Sequence, residues 1–311
     1  MSKDFLLTEK YRPKTINECI LPESLKNRFL SYVESKNLPN LIFYGPSGLG
    51  KTSVAKSLLN DLGYDFIFIN GSLQNSIDDL RTHIQDFVTT VSFTGARKAV
   101  LIDEAERMSA AMQDGMKSFM EEFCNNVTFI LTSNNYSRIT DHLKSRAAGI
   151  DFAVSKEDAK PLLSLFFKRL IMILNQENIQ YDKTVVAKVL AKFFPDFRRV
   201  LNEIQSYSRN NSAIDTGILN SIKDLSIKEL FAHMKTQNFT EIRTWVSENT
   251  SHYSEIYRKI FDTANEYFTS NTVPMVILTV AKYQFQSTVA VDQEVNLTAC
   301  LIEIMIDCEL K

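Results

Sequence analysis

Gly45, Gly50, Lys51 and Thr52 fall in the spacing G-x-x-x-x-G-K-[ST] within "LIFYGPSGLGKTSVAKSL". Glycines at these points let backbone N–H groups turn inward, and a helix that follows adds its positive N-terminal end. Such a loop cradles phosphates. Lys51 is spaced to reach the β- and γ-phosphates of a nucleoside triphosphate, and the Thr52 hydroxyl to hold Mg2+. Gly45, Gly48, Gly50, Lys51, Thr52 and Ser53 form the candidate nucleotide-binding set.

A second acidic site follows in "AVLIDEAE". Asp103 and Glu104 end an apolar run that reads as a strand, and parallel strands present their C-terminal ends to ligands. Asp103 would support Mg2+, largely through water. Glu104 would polarise the attacking water as a general base. That acid suits hydrolysis driving a conformational change better than transfer to a small molecule, which needs a second pocket. The run "TFILTSNN" ends in Asn134 and Asn135, where an amide can bond the γ-phosphate or the water. Arg146 and Arg198 are candidates for a guanidinium at the γ-phosphate, from this chain or a neighbour.

These residues need a frame. Apolar runs at 41–44, 66–70, 99–103 and 128–133 alternate with helical stretches at 51–62, 76–91 and 106–124. The alternation predicts an α/β fold, a parallel sheet with helices on both faces. After about Ser155 the strands stop and helical spacing takes over. The expected domains are 1–154 (α/β), 155–225 (a small helical domain) and 226–311 (a helical C-terminal region). In "SEIYRKIFDTANEYF", Ile256, Ile260, Phe261, Ala264 and Phe268 are expected on one buried face.

Composition narrows the class. The 311 residues are 44% hydrophobic and 23% charged, as in ordinary globular chains. A net charge of -2 removes the strong basic balance of a typical nucleic-acid binder, so any such contact is a local patch. The four cysteines form no C-x-x-C pair, which argues against zinc and against a disulfide framework. Charges interrupt the N-terminus where a signal peptide needs an apolar core. No apolar run reaches the roughly 18–20 residues of a bilayer span. The expectation is a cytoplasmic protein with no membrane partner.

The motifs taken in order resemble a known family, the AAA+ ATPases, and within it the sliding-clamp loaders. "LTEKYRPKTINECI" is similar to the clamp-loader signature around Lys-Tyr-Arg-Pro, and "INGSLQNSIDDLR" to its Asn-Ala-Ser-Asp segment. "LIDEAERMSAAMQDGMKSFMEEF" resembles the Walker B helix, "SRAAGIDF" the Ser-Arg-Cys motif and "PDFRRVLNEI" sensor 2. The likeness runs from about residue 8 to 204. "TINECILP", "FPDFR" and "SYS…GIL" are similar to the large subunit of T4-like bacteriophage loaders.

This resemblance implies an AAA+ domain, a helical lid and a helical collar, with ATP and Mg2+ as cofactors. It implies Tyr11 and Arg12 at the nucleotide, Asn135 as sensor 1 (Asn134 being the alternative register) and Arg198 as sensor 2 in cis. Arg146 would be an arginine finger acting in trans, and Lys117 would couple neighbouring subunits. DNA contacts would include Asn75, Ser76, Arg81 and Ser109. The implied partners are a ring-shaped sliding clamp, primer–template DNA, a smaller loader subunit and further copies of the chain. If phage-encoded, the protein would act in the cytoplasm of the infected host cell. The sequence departs from the pattern at Ala147 and Pro195, and Asn75 and Ser76 replace a basic DNA-sensing residue. Two other readings stay open. One is another DNA-remodelling AAA+ motor, of helicase-loader or branch-migration type. The other is a non-catalytic structural subunit, whose site would lack the lysine, the glutamate or the finger.

Overall fold

The computed structural model describes residues 6–73, 77–90, 95–124, 126–211, 213–221, 227–249 and 253–311. Asn75 and Ser76, two of the expected DNA contacts, lie outside the described residues. Contacts divide the chain into two units, Met1–Ser221 and Ile222–Lys311.

The first unit begins with α1 (Leu7–Lys10) and α2 (Glu23–Ser35). It then alternates β1 (Leu41–Tyr44), α3 (Lys51–Leu62), β2 (Asp65–Asn70), α4 (Ile77–Thr89) and β3 (Lys98–Asp103). α5 (Ala110–Glu122), β4 (Val127–Ser133), α6 (Asp141–Lys144) and β5 (Ala148–Asp151) complete the α/β part. The strands pair in the order β2-β3-β4-β1-β5, and every pairing is parallel. This is the expected sheet with one further strand. β5 reads Ala-Gly-Ile-Asp, too short and too poor in β-branched residues to stand out by pattern. The helix expected from residue 106 starts at Ala110. Ala105–Arg107 forms a 3-10 turn, and the Ser109 hydroxyl caps α5 by accepting the Met112 N–H at 3.3 Å.

The central strands β1, β3 and β4 are buried on both faces, which explains their continuous apolar runs. Leu41, Phe43, Leu101 and Ile130 pack with Phe29 of α2 and Leu58 and Leu59 of α3. Ile42, Val100, Ile102 and Leu131 pack on the other face with Ile84 of α4 and Met116 and Phe119 of α5. Phe43 is fully buried, its ring 5.3 Å from Phe29 and 5.1 Å from Phe152. Lys98, the first residue of β3, is buried as well. Its ammonium donates to the carbonyls of Phe87, Val88 and Thr90, closing the C-terminal end of α4.

The rest of this unit is α7 (Lys156–Gln176), β6 (Gln180–Tyr181), α8 (Lys183–Phe193), α9 (Phe197–Asn210), β7 (Ala213–Ile214) and α10 (Gly217–Ser221). The pairing of β6 with β7 departs from the expectation that strands stop after Ser155. Two residues are too few to show alternation.

The second unit is helical: α11 (Ile227–Lys235), α12 (Phe239–Glu248), α13 (Tyr253–Tyr267), α14 (Val273–Gln286) and α15 (Gln293–Asp307). Trp245, Tyr257, Phe268 and Leu301 lie in its core. Ile256, Ile260, Ala264 and Phe268 of the expected stripe are fully buried, but Phe261 is 42% exposed. One residue past Ile260 turns the side chain about 100° around the helix. Phe261 lands outside the stripe, with the Arg258 guanidinium 5.2 Å from its ring centre. Among the described residues no helix is long and apolar enough to cross a membrane.

Phe43→Ala empties the centre of the aromatic cluster and is expected to destabilise the first unit by about 3–5 kcal/mol. Chemical denaturation followed by circular dichroism measures it.

Candidate nucleotide and catalytic site

β1 delivers the chain into the loop 45–50, and α3 starts at its far end. Gly45, Gly48 and Gly50 have φ of 133°, 80° and 82°, which disfavour any side chain. Gly48 has a second reason. A Cβ there would stand 1.9 Å from Asp196 Oδ1, so the residue that caps α9 packs straight on the loop. No side chain caps α3, and its first N–H groups are left to face the loop.

Lys51 is 7% exposed. Its ammonium donates to Gly45 O, Pro46 O and Asn134 Oδ1, each at 2.8 Å, which uses all three N–H bonds. Burial pushes its pKa down to about 8, against the pull of Glu106 and Asp103. Asp103 Oδ1 accepts the Thr52 hydroxyl at 2.6 Å and also the Thr132 hydroxyl. Thr132 Oγ1 in turn accepts the Glu104 N–H at 3.3 Å. Thr52 and Asp103 thus sit together. Among the described residues no group of three or more His, Cys, Asp or Glu can hold a metal on its own. A cation at Thr52 and Asp103 would therefore draw its other ligands from phosphate and water, which is how Mg2+ commonly binds.

Glu104 has a left-handed backbone, φ 54°. Its carboxylate pairs with Arg107 Nε at 3.0 Å. Gly71, just past β2, donates its N–H to Asp103 O at 2.7 Å, and a Cβ there would lie 2.9 Å from Glu104 O. Asn135 does not join this cluster. Its Oδ1 accepts the Ser137 N–H at 3.1 Å and the Ser137 hydroxyl at 2.6 Å, capping a short turn. Asn134, the alternative register, is the residue brought to Lys51, and Asn135 is not. Thr132, Glu106 and Gln113 were not singled out as site residues from the sequence. Gln113 is buried and donates to Met108 O and Arg138 O at 3.1 Å, and it accepts the Thr140 N–H at 2.8 Å. It joins the acidic turn to the segment after β4. A glutamine in a helix carries no sequence signal for this; only the carbonyls around it do.

A pocket beside the loop is lined by Tyr11, Arg12, Gly48, Gly50, Ser53 and Arg198. The N-terminal arm and the helical lid meet there. The Tyr11 hydroxyl donates to Glu177 at the end of α7, and Lys10 pairs with the same carboxylate at 2.7 Å. Hydrogen bonds from Lys10 and Tyr11 hold the Glu177 carboxyl below its usual range. Burial, then Glu177, pushes the Tyr11 phenol up to about 12. Arg12 pairs with Glu9 at 2.6 Å, and its buried Nε has no hydrogen-bond partner among the described residues.

The remaining candidates lie elsewhere. Arg146 has a side chain 47% exposed and pairs with Glu121 at 2.5 Å. Lys117 is half-buried on α5. Arg81, on α4, is exposed with its guanidinium 5.9 Å from the Phe119 ring centre. The Ser109 hydroxyl is engaged in the α5 cap.

Comparison with known proteins shows the family of the chain. Residues 41–153 match the family "ATPase family associated with various cellular activities (AAA)". Residues 158–220 match "Sliding-clamp-loader large subunit, AAA+ ATPase lid domain". The chain is 36% identical to the sliding-clamp-loader large subunit of Escherichia phage RB69, over 83% of this chain and 82% of that one. It is 32% identical to the same subunit of Enterobacteria phage T4, over 99% and 98%. It is 28% identical to the replication factor C small subunit of Sulfolobus acidocaldarius, over 99% and 98%. The Thermotoga maritima RuvB Holliday junction branch migration motor superposes with a TM-score of 0.52 at 19% identity, covering 68% of this chain and 71% of that one. At that identity the superposition speaks for the fold alone. With its P-loop, acidic turn and lid on one unit, the chain belongs to the sliding-clamp-loader large subunits, a family of AAA+ ATPases.

Proposed function

We propose that this chain is the ATP-hydrolysing subunit of a loader that opens a ring-shaped sliding clamp and places it on primer–template DNA. One observation carries the reading: a buried Lys51 spans the loop and β4, beside a Thr52–Asp103 pair. That arrangement suits a triphosphate with its cation and little else.

The residues divide the work. N–H groups of the loop and of the first turn of α3 bind the phosphates, and Lys51 turns from its carbonyl acceptors to the γ-phosphate. Thr52 and Asp103 would hold Mg2+, which would supply neutralisation of the phosphate charge. Glu104 leaves Arg107 and accepts a proton from the attacking water. Asn134 bonds the γ-phosphate or that water. Tyr11, Arg12 and Ser53 line the nucleotide's other end, and Arg198 reaches in from the lid.

Arg146 acts on a neighbour. Its exposure and its pairing with Glu121, outside the Lys51 cluster, support a role at another subunit's ATP. Further copies of the chain and a smaller subunit complete the loader, with Lys117 coupling adjacent copies. DNA meets helix N-termini and residues such as Arg81, Ser109, Asn75 and Ser76, which suits backbone recognition without a basic net charge.

The test is ATP turnover by the assembled loader, with primer–template and then with clamp added. Both ligands are expected to stimulate it. Lys51→Ala is expected to abolish turnover, and turnover undiminished in that variant would falsify the reading. Arg146→Ala is expected to cost roughly 10³–10⁵-fold in rate, as arginine fingers do. Nucleotide binding, read by fluorescence of a labelled analogue, should change far less. Asn134→Ala is expected to slow turnover by roughly 10²-fold, the scale of one lost oxyanion-type donor, while Asn135→Ala changes it several-fold at most.

A further inference from the structure

The acidic turn holds a third carboxylate, Glu106, that the mechanism above does not use. Its Oε1 accepts the backbone N–H of Asn134 at 3.0 Å. Its Oε2 is buried and has no hydrogen-bond partner among the described residues. Asn134 is therefore gripped twice. Glu106 takes its main chain, and its side-chain oxygen takes the Lys51 ammonium at 2.8 Å. The next residue, Asn135, points its amide oxygen to Ser137 instead.

Two adjacent asparagines at a strand tip are chemically equal. Successive side chains of a strand face opposite ways, so a slip of one residue would exchange them. β4 itself is held by ladder bonds to β3 up to Leu131 and to β1 up to Ser133. Asn134 lies just beyond. Its N–H is the first of this tip to be claimed by a side chain from another element, and the acceptor comes from the turn that carries Asp103 and Glu104. We infer that Glu106 is a positioning residue for ATP hydrolysis, which locks the tip of β4 so that Asn134, not Asn135, faces Lys51 and the γ-phosphate. Glu106 acts through Asn134 and need not touch the nucleotide.

The inference rests on the ATP-site reading above, and two substitutions test it. Glu106→Gln keeps an oxygen that accepts the Asn134 N–H and removes the charge. Glu106→Ala removes both. Turnover by the assembled loader with clamp and DNA gives kcat and KM, and equilibrium binding of a fluorescent ATP analogue gives Kd. For Glu106→Ala, kcat is expected to fall roughly tenfold or more, the scale of losing a supporting group around a site, while Kd stays within about threefold. For Glu106→Gln, kcat is expected within about threefold of the native value. Equal losses in both variants would mean that the charge acts directly, and would overturn the inference. So would full activity of Glu106→Ala, or a Kd that weakens in step with kcat. Lys51→Ala runs alongside. If it is inactive while Glu106→Ala is fully active, only the role of Glu106 fails. If it stays active, the ATP-site reading fails first.

Discussion

A lysine ammonium is costly to remove from water unless each of its protons finds an acceptor. Lys51 meets that condition with two carbonyls of its own loop and the amide oxygen of Asn134, just past β4. The rest of the site depends on this arrangement. It closes the loop on itself and ties the loop to the strand beside β1. It also keeps a positive charge at the place where phosphates arrive. The depressed pKa of Lys51 is the signature of that burial, partly offset by Glu106 and Asp103. A triphosphate would exchange neutral acceptors for anionic ones, adding ion-pair attraction to bonds that the ammonium already makes charge-assisted.

Strand order makes this possible. β1 lies next to β4, and β4 next to β3. Because all pairings are parallel, the three C-terminal tips emerge on one edge of the sheet, the usual location for a ligand in such sheets. One tip leads into the glycine loop, one carries Asp103 and Glu104, and one carries Asn134. Cross-links then hold the tips in register: Thr132 to Asp103, Glu106 to the Asn134 N–H, and Gln113 between the acidic turn and the segment after β4. These bonds join groups far apart in sequence. A shift in any one tip is therefore felt by the others.

The lid closes the other side by similar means. Asp196 packs where a Cβ on Gly48 would stand, and the arm residues Lys10 and Tyr11 share the Glu177 carboxylate. Loop, arm and lid thus meet around one pocket.

Much of this was legible in the residue order. Four of the five sheet strands show as apolar runs: β1, β3 and β4 because a strand buried on both faces has no polar side to interrupt it, and β2 although it lies at the edge with Phe68 exposed. The phosphate loop shows because only glycine suits its backbone and only a lysine at that spacing reaches its centre. β5 stayed hidden, since Ala-Gly-Ile-Asp has little strand character without β1 to pair with. Phe261 looked like core because a window of apolar spacing does not mark the edge of a helix stripe. Asn134 and Asn135 were chemically alike, and Glu106, Thr132 and Lys98 looked like ordinary polar residues. Their parts depend on which carbonyls, amides and strands stand opposite. Spacing along the chain determined which chemistry the loop and the acidic turn can perform. Only the tertiary structure decided which neighbouring side chain faces them, because strand register is set by partners that lie far away in sequence.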